Sequence, residues 1–127
     1  MSSSPQDIET WVSAYIAFLT DGSRPNEKHP LWWAAEKFMP LPDEESVEEC
    51  WLGILAVLAR SPPEHVIGML AAGPLEHLIH YSGPRFIERI ESEARRNPDF
   101  RHLLGGVWQS STPTIWARVE AVRGPTW

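Results

Sequence analysis

Two histidines, a glutamate and an arginine are the residues of this chain whose types and spacing could support chemistry. His77 and His80 are three positions apart, Glu76 precedes them, and Arg101 lies further along the chain. On a helix, two imidazoles at this spacing can face one metal ion, but two ligands are too few for a site, and the His-Glu-x-x-His order is absent. We therefore expect surface or capping histidines, with no metal site and no cofactor. Glu76 and Arg101 could serve as an acid and an anion-binding group; a helix-end charge and a cross-helix ion pair are the favoured interpretation.

Cys50 is the only cysteine, so no internal disulfide can form. It lies on the apolar stripe of a predicted helix, where a buried, inert thiol is expected. It also begins the longest apolar run, Cys50 to Ala59, which is about half of the roughly 20 residues that a membrane-spanning helix needs. This run predicts a buried core helix and no membrane partner. The opening MSSSPQDIE lacks the basic and apolar regions of a secretory signal, which indicates the cytoplasm.

Five carboxylates fall within the seven residues Asp43 to Glu49. Acids in the first turn of a helix are favoured by its dipole, which accounts for the first three and less well for Glu48 and Glu49. The excess predicts a docking face for a cationic partner. The candidate partner-binding carboxylates are Glu44, Glu45, Glu48 and Glu49.

The chain has seven tryptophans, and two of them are adjacent. Neighbouring residues on a helix point about 100° apart, so Trp32 and Trp33 cannot both face inward. We expect one of them to be partly exposed and to anchor a protein interface; two tryptophans wrapping one corner of the core is the alternative. Trp127 is either docked or disordered. The tryptophans expected in the core are Trp11, Trp51, Trp108 and Trp116.

The net charge of −6 is shared unevenly along the chain. Residues 1–83 hold twelve acidic and four basic side chains, whereas residues 84–127 hold five and seven. Nucleic-acid binding needs a cationic face, so the acidic part argues against that partner. It permits a basic protein partner.

Helical periodicity covers most of the chain, and no alternating segment is long enough for a convincing strand. Several prolines follow a residue that can cap a helix, as expected at a first helical position. The chain is therefore predicted to be all-α: one domain, 1–127, forming a compact irregular bundle of about seven or eight short helices, partly solenoid-like with paired helices. The expected helices run from Ser4-Pro5 to near Gly22, over Leu31–Phe38, over Asp43–Arg60, from Ser61-Pro62 to Gly73, over Pro74–Tyr81, over Pro84–Arg96, over Pro98–Leu104, and from Thr112-Pro113 through Val119.

Three segments, AAGPLEHLI, FIERIESEARRNPDFRHLLGGVW and IWARVE, carry a resemblance to known proteins. They resemble a family of small bacterial proteins known only as a domain of unknown function, with a Gly-Pro-Leu-Glu helix start, a Pro-x-Phe-Arg turn and a Gly-Val-Trp end. The resemblance covers roughly Ala71 to Glu120. It implies a helical fold and no established activity.

Taken together, these features favour a non-enzymatic protein-binding domain, such as an immunity-type or inhibitor protein that acts on a basic protein partner. One alternative is an enzyme of unrecognised type, in which Glu76, His77, His80 and Arg101 converge in a cleft. Another is a regulatory adaptor that uses its tryptophans to bind a peptide. No catalytic residue is assigned, and the oligomeric state is left open.

Overall fold

Helices are the only regular elements in the computed structural model, which describes residues 4–21, 27–39 and 43–127. The predicted all-α class is confirmed. The elements are α1 Pro5–Thr20, α2 Trp32–Glu36, α3 Glu44–Ala59, α4 Glu64–Leu70, a π-helical turn Ala71–Leu75, α5 Glu76–Arg96, α6 Pro98–Leu104 and α7 Pro113–Val122. Since α4, the π-helical turn and α5 follow one another without a break, these ranges hold six continuous helical stretches. The count of seven or eight is not confirmed, and the solenoid-like pairing stays a prediction. The expected boundary residue Gly22 lies outside the described residues.

Side-chain caps begin four of the helices. The side chains of Ser4, Asp43, Asn97 and Thr112 accept hydrogen bonds from backbone N–H groups in the first turns of α1, α3, α6 and α7. Such caps satisfy N–H groups that have no partner within the helix. In three of these helices the first residue is a proline, as the sequence predicts.

Pro74 does not begin a separate helix, which corrects that part of the prediction. It lies within the π-helical turn, whose wider backbone accommodates a ring that would otherwise displace the carbonyl four residues earlier. Pro84 differs, because the backbone of Ser82, with φ −136° and ψ 21°, is not helical. The range of α5 therefore joins two helical segments across a kink, and the second begins beside Pro84, as predicted.

The chain divides into two compact units, Met1–Val66 and Ile67–Trp127. In the first, which we call unit 1, α1 packs against α2 and α3. Trp11 fills the crossing: its indole N–H donates to the Ala34 carbonyl at 2.9 Å, and its ring centroid lies 4.3 Å from that of Phe38. A Cβ on Gly53 would lie 2.5 Å from the Trp11 ring, so the close approach of α3 to α1 requires glycine there. The single-domain organisation stays a prediction.

Helix α3 is buried on one side only, which corrects the expectation of a fully buried core helix. Cys50, Trp51 and Ile54 are buried, as the stripe predicts, whereas Leu52 is 49% exposed. The run of apolar residues is therefore a core face with an apolar side chain on the opposite, solvent-facing side. No helix in the described ranges is both long and apolar enough to cross a membrane.

In the second unit, unit 2, α5 packs against the π-helical turn, α6 and α7. The predicted inner face of α5 is confirmed, because its apolar residues are buried. Glu93 closes the corner into α6: it accepts hydrogen bonds from Arg96 and from the Asn97 side chain, whose oxygen in turn caps α6. The buried residues on the inner face are Phe86, Ile87, Ile90 and Ala94.

Trp108 is not in the core, which corrects another prediction. It is 76% exposed, whereas Val107 beside it is buried. This segment is not helical, and where the chain is extended adjacent side chains point to opposite sides. Val107 therefore takes the inward position. The core placement of Trp11, Trp51 and Trp116 is confirmed.

Candidate functional site

The first two turns of α3 carry the acidic face, which we define as Glu44, Glu45, Glu48 and Glu49. The first two are exposed and the last two are half-buried. Asp43 precedes them and acts as the cap: its carboxylate accepts hydrogen bonds from the backbone N–H and the hydroxyl of Ser46, both at 2.9 Å. These hydrogen bonds hold the pKa of Asp43 below its ordinary value. The acid at the cap therefore has a structural role.

Leu52 adjoins the acidic face and was not singled out from the sequence as a binding residue. It lies four positions after Glu48 and three after Glu49, so the three side chains share one side of α3. It is also 49% exposed. The sequence signal was present, since Leu52 is off the core stripe, but the surrounding apolar run concealed it.

Trp33 is the exposed member of the tryptophan pair. Its side chain is 43% exposed, while Trp32 is half-buried with its ring in an edge-to-face arrangement 5.9 Å from that of Phe18. The prediction that one of the two is partly exposed is confirmed. The start of this short helix is held by His29, whose Nδ1 accepts the Leu31 N–H at 3.0 Å.

Lys37 connects the two features. Its backbone N–H donates to the Trp33 carbonyl at 3.0 Å, so the two residues are one helical turn apart. Its ammonium lies 3.8 Å from the Glu49 carboxylate and 5.0 Å from the centroid of the Trp11 ring. Lys37 therefore contacts both the backbone of Trp33 and Glu49 of the acidic face.

Cys50 has the properties of a core residue. Its thiol donates to the Lys37 carbonyl at 3.6 Å, and burial, reinforced by the negative charge of Glu49, raises the pKa of Cys50 to about 12. Only the thiolate is an effective nucleophile. The prediction of a buried thiol is confirmed, and its geometry does not support covalent catalysis.

The two histidines pack against a single aromatic ring. The ring centroids of His77 and His80 lie 4.6 Å and 4.5 Å from that of Tyr81. Partial burial of His77 lowers its pKa, and the charge on His80 lowers it further. Across the residues that the structure describes, no three His, Cys, Asp or Glu side chains come close enough to hold a metal ion.

Arg101 is used elsewhere in unit 2. Its guanidinium donates to the Ala94 carbonyl at 3.0 Å, near the carboxyl end of α5. In the described part of the chain, no hydrogen bond or ion pair joins Arg101 to Glu76, His77 or His80. The expected cross-helix ion pair between Glu76 and Arg101 is therefore not formed.

The outer side of α5 carries an Arg/Glu surface, which we define as Arg85, Glu88, Arg89, Glu91, Arg95 and Arg96. One of its carboxylates is paired with another helix. The Glu91 carboxylate accepts two hydrogen bonds from the Arg118 guanidinium on α7, at 3.0 Å and 2.5 Å. Hydrogen bonding to Arg118 lowers the pKa of Glu91. The charges of this surface therefore hold α5 and α7 together.

Comparison with known proteins places the chain in a family. A family model described as a family of unknown function, DUF6869, matches residues 21–126. The chain belongs to this family. The match includes the acidic face, Leu52 and Trp33, in addition to the segment from Ala71 to Glu120 that carried the resemblance. No curated protein and no solved structure matches the chain.

Proposed function

We propose that this member of DUF6869 is a non-enzymatic protein-binding domain and that its acidic face receives a basic protein partner. The observation that carries the proposal is that Lys37 contacts both the backbone of the exposed Trp33 and the Glu49 carboxylate, so one residue links the tryptophan to the acidic face. An exposed aromatic residue next to a charged surface has the composition of a protein interface, with an apolar anchor and a polar rim.

The net negative charge of unit 1 supports a basic partner. Unit 1 contains eleven acidic and four basic residues, which gives it a net charge of −7. An excess of this size cannot be neutralised within the unit, and it attracts a cationic protein over about one Debye length. It also disfavours acidic partners, which supports selectivity.

Trp33 and Leu52 supply the apolar part of the proposed surface. Tryptophan is among the residues most often found as interface hot spots, since it buries a large area when a partner covers it. Trp33 is 43% exposed and Leu52 is 49% exposed, so each has area left to bury.

An inhibitor or immunity-type protein, which covers the basic surface of an enzyme, is the class of binder that fits this chemistry. We include that class and the cytoplasm in the proposal; both rest on analogy with small acidic helical proteins. The contacts of His77, His80 and Arg101 supply no observation that favours an enzyme as a second candidate.

The proposal is tested by capture of a partner from lysate of the native host at low salt. The baits include variants that change the charge or the exposed tryptophan of the surface without changing the core. The baits are the unmodified chain, the double variant Glu48→Lys with Glu49→Lys, and Trp33→Ala. A matched control reverses two exposed carboxylates of unit 2, Glu88→Lys with Glu120→Lys. Mass spectrometry identifies the captured proteins.

The expected result is a basic protein that the unmodified chain and the control capture, and that the double variant and Trp33→Ala lose. Its retention falls as salt is added, since screening weakens attraction between exposed charges. Equal capture by all four baits, or an acidic captured protein, contradicts the proposal.

A further inference from the structure

The last five residues of the sequence, Arg123–Trp127, lie against α6 and the turn that follows it. The Gly124 N–H donates to the Arg101 carbonyl at 3.0 Å, and the Trp127 N–H donates to the Gly105 carbonyl at 3.3 Å. These hydrogen bonds lead the segment to the point where the indole of Trp127 meets unit 2.

The indole ring is held by hydrogen bonding and by stacking on the same residue. Its Nε1–H donates to the backbone carbonyl of His102 at 2.7 Å. Its ring lies nearly parallel to the His102 imidazole, with 14° between the planes and 4.9 Å between the centroids. Stacked aromatic pairs at this distance are attractive beyond the area that they bury.

Missing side chains create the space that the ring occupies. A Cβ on Gly106 would lie 2.6 Å from the Trp127 ring, which is too close, whereas one on Gly68 would lie 3.7 Å from it, in ordinary van der Waals contact. A Cβ on Gly105 would lie 2.2 Å from the Pro125 carbonyl oxygen. No glycine in the described residues has a positive φ, so their backbone conformations do not require glycine. It is the close approach of Arg123–Trp127 that requires glycine.

We propose that Gly68, His102 and Gly106 form a binding site for an indole ring with a free N–H, occupied here by the chain's own Trp127. We call it the indole seat. The His102 carbonyl accepts a hydrogen bond from the N–H at the edge of an indole, and the His102 imidazole stacks on its face. The absence of a Cβ on Gly106 leaves room for the thickness of the ring. It lies in unit 2 and uses no residue of the acidic face, so it is independent of the proposed function.

The seat is open to exchange. Trp127 remains 51% exposed and is not a core residue, so its ring can leave without unpacking the core. An indole presented by another molecule then meets the same carbonyl, imidazole and glycines. The seat therefore accepts a tryptophan side chain or a free indole once Trp127 is displaced.

The test uses the full chain with Trp127→Ala, which vacates the seat, and free indole as the probe. In ¹H–¹⁵N spectra, indole is expected to shift the backbone amides of Gly68, His102 and Gly106 and to saturate. Benzofuran, which has the same shape without the N–H, should bind about fivefold more weakly, the contribution of one neutral hydrogen bond. The unmodified chain should show no such shifts.

Two glycine substitutions in the Trp127→Ala chain supply the matched control. Gly106→Ala places a methyl group in the seat and should abolish indole binding, whereas Gly73→Ala should leave it unchanged, because a Cβ there has no neighbour within 4 Å. Absence of saturable shifts, or equal binding by the two glycine variants, overturns the proposal.

A second measurement leaves Trp127 in place and does not depend on the vacated seat. In the otherwise unmodified chain, Gly106→Ala should accelerate hydrogen exchange of the Trp127 indole N–H by about tenfold or more, since the ring loses its seat and its hydrogen bond. Gly73→Ala should not change the exchange rate. Unchanged exchange in Gly106→Ala contradicts a seat at this position.

Discussion

Unit 1 and unit 2 differ in net charge and in which of their aromatic residues they expose. Unit 1 buries Trp11 and Trp51 and carries a net charge of −7, whereas unit 2 has a net charge of +1 and leaves Tyr81 and Trp108 largely exposed. In unit 2, carboxylates such as Glu91 and Glu93 join helices or close corners. The charge of unit 2 is largely explained by its structure. Unit 1 also pairs some of its carboxylates, among them Glu49 with Lys37 and Glu9 with Arg60, but its eleven acidic residues far exceed its four basic ones. For this reason we propose that a basic partner binds to unit 1.

The reactivity of Cys50 tests how closed the core of unit 1 is. With the pKa raised to about 12, roughly one thiol in ten thousand is ionised at pH 8. We expect an aromatic disulfide reagent to modify Cys50 at least about 100-fold more slowly in the native chain than in denaturant. Absorbance of the released thiolate measures both rates. Equal rates would show that the core of unit 1 is open.

Trp11→Ala should cause the largest loss of stability. Trp11 is buried and bonded to the Ala34 carbonyl, so truncation should lower the free energy of unfolding by about 4 kcal/mol. Trp33→Ala is the matched control, and its cost should stay below about 1 kcal/mol. Urea unfolding followed by circular dichroism measures both. A cost for Trp33 as large as that for Trp11 would place Trp33 in the core and remove it from the proposed surface.

Replacing glycine with alanine compares the helix crossing at Gly53 in unit 1 with the open position at Gly73 in unit 2. Gly53→Ala places a Cβ 2.5 Å from the Trp11 ring, which should cost about 2 kcal/mol through overpacking. Gly73→Ala meets no neighbour, so its effect should be close to zero or slightly stabilising. The same urea titration compares them. Similar effects at both sites would argue against close contact between α1 and α3.

Glu93→Gln tests whether the charges of unit 2 are structural. Burial, the largest single influence, raises the pKa of Glu93, but hydrogen bonds from Asn97 and Arg96 outweigh it and lower the pKa overall. The folded state therefore binds this proton less readily than the unfolded state. The stabilisation is fully present above the ordinary pKa of 4.5 and is lost as pH falls from there through the lowered folded pKa.

We expect Glu93→Gln to reduce the free energy of unfolding by about 1.5 kcal/mol at pH 7 and to lose that deficit at low pH. Glu88→Gln, at an exposed position on the same helix, should change stability by less than about 0.5 kcal/mol at pH 7. Thermal or urea unfolding between pH 2.5 and pH 7 provides the comparison. A deficit that grows at low pH would contradict the ion-pair account.

The sequence predicts elements well where periodicity and caps agree. The stripes of α1 and α3, together with the caps Ser4, Asn97 and Thr112, predicted four helices at nearly their observed positions. Pro74 misled the prediction, because the helix continues through it instead of beginning there. Whether a proline begins a helix or is absorbed by a π-helical turn depends on tertiary packing, which no local pattern records.

The candidate surface was predicted in part. The excess of carboxylates and the adjacent tryptophans identified the acidic face and Trp33, because charge and helical geometry are local properties. Leu52 and the Lys37–Glu49 contact were missed, since both depend on which side of α3 meets α1 and α2. The exposure of Trp108 was missed for a similar reason: its segment leaves the helical pattern, and Val107 takes the inward position.

Surface plasmon resonance with the captured partner tests the central claim, that binding runs through unit 1, most directly. Glu48→Lys with Glu49→Lys should slow association by about tenfold and weaken its salt dependence, because such charges mainly steer encounter. Trp33→Ala should instead accelerate dissociation, with a loss of about 2 kcal/mol in binding free energy. Glu88→Lys with Glu120→Lys should leave both rates close to those of the unmodified chain. Unchanged kinetics in the two unit 1 variants would contradict the account and place the interface elsewhere, with the Arg/Glu surface of α5 the next candidate.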